Sequence, residues 1–135
     1  MKVSKGVEAL VQEALAEVTT LSSAEVKAKK DQAGVILIDL RDVRELQREG
    51  RIPGSVHIPR GMLEFWVDPD SPYYKPAFDE AGEVVLYCNK GWRSALAAKT
   101  LQTMGMSSVA HLGGGMTQWI LDGGEIEPMP QKPQK

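Results

Sequence analysis

The stretch VVLYCNKGWRSALAAK, residues 84–99, contains the only cysteine in the chain. Val84 to Tyr87 are four apolar or aromatic residues in a row, the pattern of a buried strand, and residues 83–88 read as that strand. A short loop with Lys90 and Gly91 follows Cys88. From Arg93 a run of good helix formers extends to a glycine stop at Gly105. The chain therefore passes from strand to helix within a few residues of its one thiol. In an open parallel sheet, ligands collect at the carboxyl ends of the strands, so Cys88 stands where chemistry is expected.

The loop also surrounds the thiol with positive electrostatics. A tight turn around a side chain points its backbone N–H groups inward and forms an anion-binding nest. The helix N-terminus adds unpaired N–H groups and the positive end of its dipole. Lys90 and Arg93 contribute full charges, Ser94 a hydroxyl donor, and Gly91 the freedom to adopt a positive φ. Such surroundings favour a thiolate, the nucleophilic form of cysteine, and can hold an anionic substrate over the sulfur. A cysteine packed inertly in the core is the alternative for a strand position, but it leaves the flanking Lys, Gly and Arg without a purpose. A metal site is disfavoured because the other soft ligands are only His57 and His111. Each histidine falls in an expected strand, where a structural role is commoner.

Outward from this loop the chain alternates strands and helices. VILIDLR (35–41) reads as a buried strand, and RDVRELQREG (41–50) as a short helix closed by Gly50. RIPGSVHIPRG (51–61) holds a Pro-Gly turn and a short strand at 55–58. Residues 62–78, aromatic and later broken by prolines, read as a helical turn with loop. SSVAHL (107–112) is a further short strand, and GGGMTQWILDGG (113–124) a helix between glycine turns. Residues 19–30 form a short strand or turn feeding a helix that Ser22 and Glu25 start as a capping box. Val7, Leu10, Val11, Ala14, Leu15 and Val18 recur at helical spacing, an amphipathic helix that packs on the domain or on a partner. The expected organisation is an N-terminal helix extension over 1–18, an α/β domain over 19–124, and a proline-rich frayed tail over 125–135.

The totals set limits. The chain has 135 residues, enough for one domain with its own core. A net charge of −2 gives no basic field for nucleic acid. The apolar runs are too short to span a membrane, so no membrane partner is expected. A single cysteine makes no internal disulfide, and the N-terminal residues carry no apolar secretory segment; both point to the cytoplasm.

Three segments together resemble the rhodanese-like family in its single-domain form. VILIDLRDVRELQREGRIPGSVHIP is similar to its first signature, with Asp39 and Arg41 at a strand end and then Gly50, Ile52, Pro53, Gly54 and Ser55. Arg51 stands where the family often has histidine. CNKGWRS resembles the family's active-site loop, and LGGGMTQWILDGG its closing segment with Gly113, Gly114, Trp119 and Gly123. The likeness covers about residues 19–124. It implies a three-layer rhodanese-like α/β fold, a central, mainly parallel five-stranded sheet with helices on both faces.

The resemblance also implies a sulfurtransferase. Cys88 would take a sulfane sulfur from thiosulfate or a similar donor as a persulfide, and pass it to cyanide or a cellular thiol. Asn89, Lys90, Gly91, Trp92, Arg93 and Ser94 would form the substrate-binding loop. Asp39 and Arg41 would brace that loop or form a structural ion pair, and Arg60 would face the mouth or lie on the surface. Phe65, Trp66, Tyr73 and Tyr74 would wall the pocket or pack as core or lid. No cofactor or metal is implied. The partners are a small-molecule sulfur donor and a thiol or cyanide acceptor, with room for a sulfur-relay protein. Phosphatases and arsenate reductases share the fold but use Cys-x5-Arg; the Cys88 to Arg93 spacing here is Cys-x4-Arg, a ring sized for one sulfur atom. A binding module without catalysis is the third alternative.

Overall fold

The computed structural model describes residues 1–129. Five strands form one sheet: β1 (Thr19–Leu21), β2 (Val35–Asp39), β3 (Val56–His57), β4 (Glu83–Tyr87) and β5 (Val109–Leu112). Their order is β1-β5-β4-β2-β3, and every neighbouring pair is parallel. The sheet is thus parallel throughout, and β4 lies at its centre between β5 and β2. All carboxyl ends share one edge, and Cys88 leaves the central strand at that edge.

Among the described residues the α-helices are α1 (Val7–Glu17), α2 (Ser23–Lys29), α3 (Val43–Glu49), α4 (Leu63–Val67), α5 (Trp92–Thr103) and α6 (Gly115–Leu121). Alternation along the strands sorts the core into two layers. Ile38 and Leu40 with Val84 and Leu86 pack with Leu63 and Val67 of α4 and Ala97, Ala98 and Leu101 of α5. Leu37 with Val85 and Tyr87 packs with Val26 of α2 and Met116 and Trp119 of α6. Strands buried on both faces carry apolar residues at consecutive positions, which is why VILI and VVLY show no polar alternation.

The local signals operate as the residue types dictate. Ser22 and Glu25 form a reciprocal capping box at α2. A second box, between Asp42 and Glu45, starts α3, so β2 ends at Asp39 rather than running on to Arg41. Gly50 closes α3 with φ 76°. Residues 60–78 hold two 3-10 turns and the single short helix α4. Val11 and Ala14 of α1 pack on Ala95 of α5, so the N-terminal helix sits on the helix that follows the cysteine. Residues 125–129 are anchored where they leave the domain: Glu127 exchanges two backbone hydrogen bonds with Arg51, each 2.9 Å. The Trp119 indole N–H donates to the Glu125 carbonyl at 2.8 Å. The rest of the expected tail, 130–135, lies outside the described residues.

Asp39 and Arg41 are both wholly buried and joined by Nη2–Oδ2 at 2.9 Å and Nε–Oδ1 at 3.1 Å. Arg41 also donates to the Gly50 carbonyl at 2.7 Å and to Glu49 at 3.0 Å. The pair therefore braces the far end of α3 and the turn into β3; its direct contacts do not include the cysteine loop. Because the charges are fully desolvated, removing one partner leaves the other uncompensated. Arg41→Ala is expected to destabilise the protein by about 3–5 kcal/mol in chemical denaturation. A loss below about 1 kcal/mol, the range of exposed ion pairs, would contradict this.

Candidate active site

Cys88 is 1% exposed and, with Asn89, Lys90, Trp92 and Arg93, lines a pocket of about 410 Å³. The shape of the loop comes from contacts on either side of it. The N-terminus of α6 presses on the loop: the Met116 N–H donates to the Cys88 carbonyl at 2.9 Å and the Thr117 N–H to the Asn89 carbonyl at 3.0 Å. In a trans peptide the N–H points opposite to the C=O. Holding these two carbonyls against α6 therefore turns the N–H groups of Asn89 and Lys90 away from it. The Gly91 N–H donates to the Cys88 sulfur at 3.2 Å. Among the described residues, the backbone N–H groups of Asn89, Lys90, Trp92, Arg93 and Ser94 meet no backbone acceptor. The last three open α5, whose dipole has its positive end here.

Two glycines permit this approach. Gly91 has φ 106°, a conformation strained for any L side chain, and it caps α5. Gly115 lies so close to the loop that a Cβ would fall 2.4 Å from the Cys88 carbonyl oxygen and 2.7 Å from that of Asn89. The glycine run 113–115 thus lets one helix start against the back of another helix's entry loop.

The two cations of the loop have different surroundings. Arg93 lines the pocket, but its guanidinium is held by Glu45 of α3 through Nη1–Oε1 at 2.8 Å and Nη2–Oε2 at 3.0 Å. That hydrogen bonding holds the Glu45 carboxyl below the usual carboxylate range. Lys90 is exposed and, among the described residues, forms no ion pair. Trp92 is 48% exposed at the mouth. Ser94 is wholly buried and does not line the pocket. Its hydroxyl lies 3.7 Å from Cys88 Sγ, 3.2 Å from the Gly91 carbonyl and 2.9 Å from His111 Nδ1.

The remaining candidates lie elsewhere. Arg60 bonds Glu64 at 2.7 Å and Thr100 at 3.3 Å and does not line the pocket. Phe65 meets Tyr73 edge-on, Trp66 stacks under Lys75, and Tyr74 donates to Asp79, all outside the cysteine pocket. Glu45 and His111 are the site neighbours that sequence reasoning missed. Glu45 could have been found as the third helical residue after Asp42, a capping-box position. His111 gave no local signal, because its partners Thr20 and Ser94 are distant in sequence. No His, Cys, Asp and Glu cluster able to hold a metal occurs among the described residues. No described helix is long and apolar enough to cross a membrane.

The model of the rhodanese-like domain matches residues 22–122, three quarters of the chain. The chain belongs to the rhodanese-like family. Among curated proteins it is similar to the thiosulfate sulfurtransferase/rhodanese-like domain-containing protein 3 of Mus musculus, 30% identical, covering 71% of this chain and 64% of that protein. It is likewise similar to the thiosulfate:glutathione sulfurtransferase of Saccharomyces cerevisiae, 31% identical over 71% of this chain and 72% of that one. Among solved structures, a Rhodopseudomonas palustris protein of unknown function, described as a possible tyrosine phosphatase, superposes with TM-score 0.89 at 48% identity. That match covers 94% of this chain and 98% of the other. This rhodanese-like chain therefore has sulfurtransferase relatives and a parallel five-stranded sheet in common with its family.

Burial pushes the His111 imidazole down to about 4. Its unfolded counterpart takes up a proton near pH 6.5. Between these values the unfolded state binds the extra proton, so stability falls as the pH is lowered from about 6.5 to about 4. In paired thermal denaturation series, His111→Asn should flatten this part of the profile relative to the parent. Parallel curves for the two proteins would contradict it.

Proposed function

We propose that this chain is a sulfurtransferase that carries sulfane sulfur as a persulfide on Cys88. The Cys88 thiolate attacks the outer sulfur of thiosulfate or a similar donor. A new S–S bond forms, the donor's own S–S bond breaks, and sulfite leaves with the electron pair. A second nucleophile, a thiol or cyanide, then attacks the outer sulfur of the persulfide, and the Cys88 thiolate departs. The cycle is a double displacement that returns the enzyme unchanged. The chain has one cysteine, so the acceptor is external.

The observation that carries this reading is the Gly91 N–H on Sγ at 3.2 Å, beside loop and helix-start N–H groups that have no backbone acceptor. Such donors stabilise negative charge on the thiolate, the persulfide and the departing sulfite without reorganising. Lys90, exposed at the pocket and without an ion-pair partner among the described residues, supplies the charge that attracts an anionic donor. Trp92 stands at the entrance and Arg93 holds the loop wall to α3. The sulfurtransferase descriptions of the mouse and yeast relatives support the same chemistry.

A phosphatase is the second reading, favoured by the description of the R. palustris structure. Two features weigh against it. Cys88 and Arg93 are separated by four residues, one fewer than a loop built around a tetrahedral oxyanion. The Arg93 guanidinium, which would clamp a phosphoryl group, is spent on both oxygens of Glu45.

Mass spectrometry of the intact protein after incubation with thiosulfate tests the proposal. The parent chain should gain the mass of one sulfur, lose it on adding cyanide or thiol, and show no phosphatase turnover. Cys88→Ser should gain nothing. A sulfur retained by the serine variant, or phosphate release by the parent with no sulfur gain, would overturn the reading.

A further inference from the structure

A line of hydrogen bonds behind the cysteine has no part in the scheme above. Ser94 is on the first turn of α5 and wholly buried. Its hydroxyl reaches His111 Nδ1 at 2.9 Å, and His111 Nε2 reaches Thr20 Oγ1 on β1 at 2.9 Å. The series Thr20, His111, Ser94, Cys88 thus runs from exposed β1, across buried β5, to the sulfur. The imidazole is neutral at ordinary pH, so one ring nitrogen donates and the other accepts.

The two tautomers have different consequences for the sulfur. If Nε2 carries the proton, Nδ1 accepts, and the Ser94 hydroxyl points at the imidazole. If Nδ1 carries it, Ser94 Oγ accepts from His111, and the serine proton is left for the Gly91 carbonyl or for Sγ. The Gly91 carbonyl already accepts from the Ala95 N–H at 3.1 Å, so it stays satisfied when the serine turns away. A negative sulfur then draws the hydroxyl 3.7 Å away, because a charged acceptor outbids a neutral one.

We propose that His111 is a positioning residue for Cys88: its Nδ1–H, kept by Thr20 donating to Nε2, holds Ser94 so that the serine hydroxyl donates to the anionic sulfur. Every donor in the series then faces the sulfur, and Ser94 O–H joins the Gly91 N–H as a second donor from the protein interior. The inference deepens the sulfurtransferase reading of the same site, but its test does not depend on sulfur transfer.

The test is the rate of Cys88 alkylation by iodoacetamide on the rising limb of its pH profile, where the thiolate is the minor form, with no sulfur donor present. Ser94→Ala and His111→Phe should each slow alkylation by about three- to tenfold, because roughly half of the thiolate population lost with a hydrogen bond to a charged group is returned as higher nucleophilicity of the sulfur. The double variant should be no slower than the slower single variant, because His111 acts only through Ser94. His111→Asn, whose amide can donate in place of Nδ1, should recover at least half of the lost rate. Thr20→Val, isosteric and on an exposed strand, should slow alkylation in the same direction. Losses that multiply in the double variant, or His111→Phe reacting at the parent rate, would overturn the proposal. If His111→Phe does not fold, Thr20→Val at the parent rate or His111→Asn as slow as Ser94→Ala would overturn it instead. A chain that shows the expected alkylation pattern but never gains sulfur would refute the sulfurtransferase reading and leave this inference intact.

Discussion

The site depends on two hydrogen bonds from the start of one helix to the loop before another. The Met116 and Thr117 N–H groups take up the carbonyls of Cys88 and Asn89. These N–H groups would otherwise be among the unpaired donors of a helix end, and the carbonyls would otherwise face the sulfur and repel its charge. One contact therefore satisfies α6 and fixes the polarity of the cysteine loop. It requires backbone against backbone at a distance that only glycine allows, and Gly115 is the residue there.

With the loop fixed in this way, the charged side chains divide their tasks. Asp39 and Arg41 hold the end of α3, the start of α3 carries Glu45, and Glu45 holds Arg93 at the loop. The loop is thus tied to α6 on one side and to α3 on the other. Lys90 is left to face the pocket. The thiol is nearly closed to solvent yet lines a pocket, so only a small reactant can reach it.

Much of this was legible in the sequence. The apolar runs VILI and VVLY announced buried parallel strands, and the capping residues Ser22, Glu25, Gly50 and Gly105 marked helix ends near their true places. The placement of Cys88, Lys90, Gly91 and Arg93 at a strand end, a loop and a helix start could be read because these are local features. What could not be read were the partners. A charged residue in sequence carries no sign of whether its charge is free, and the pairing of Arg93 with Glu45 spans 48 positions. Arg41 and Arg60 were candidates for the same reason, and each is engaged away from the pocket. The contacts of His111 with Thr20 and Ser94 likewise exist only once β1, β5 and α5 are assembled.

The most direct test of the inward-facing loop is nuclear magnetic resonance of the Cys88→Ser protein, which cannot react, titrated with sulfite. The account predicts saturable downfield shifts of the Asn89, Lys90, Trp92, Arg93 and Ser94 amide protons, as free donors close on the anion. Sulfite binding that leaves those five amides unmoved, or shifts centred on another part of the sheet edge, would contradict it.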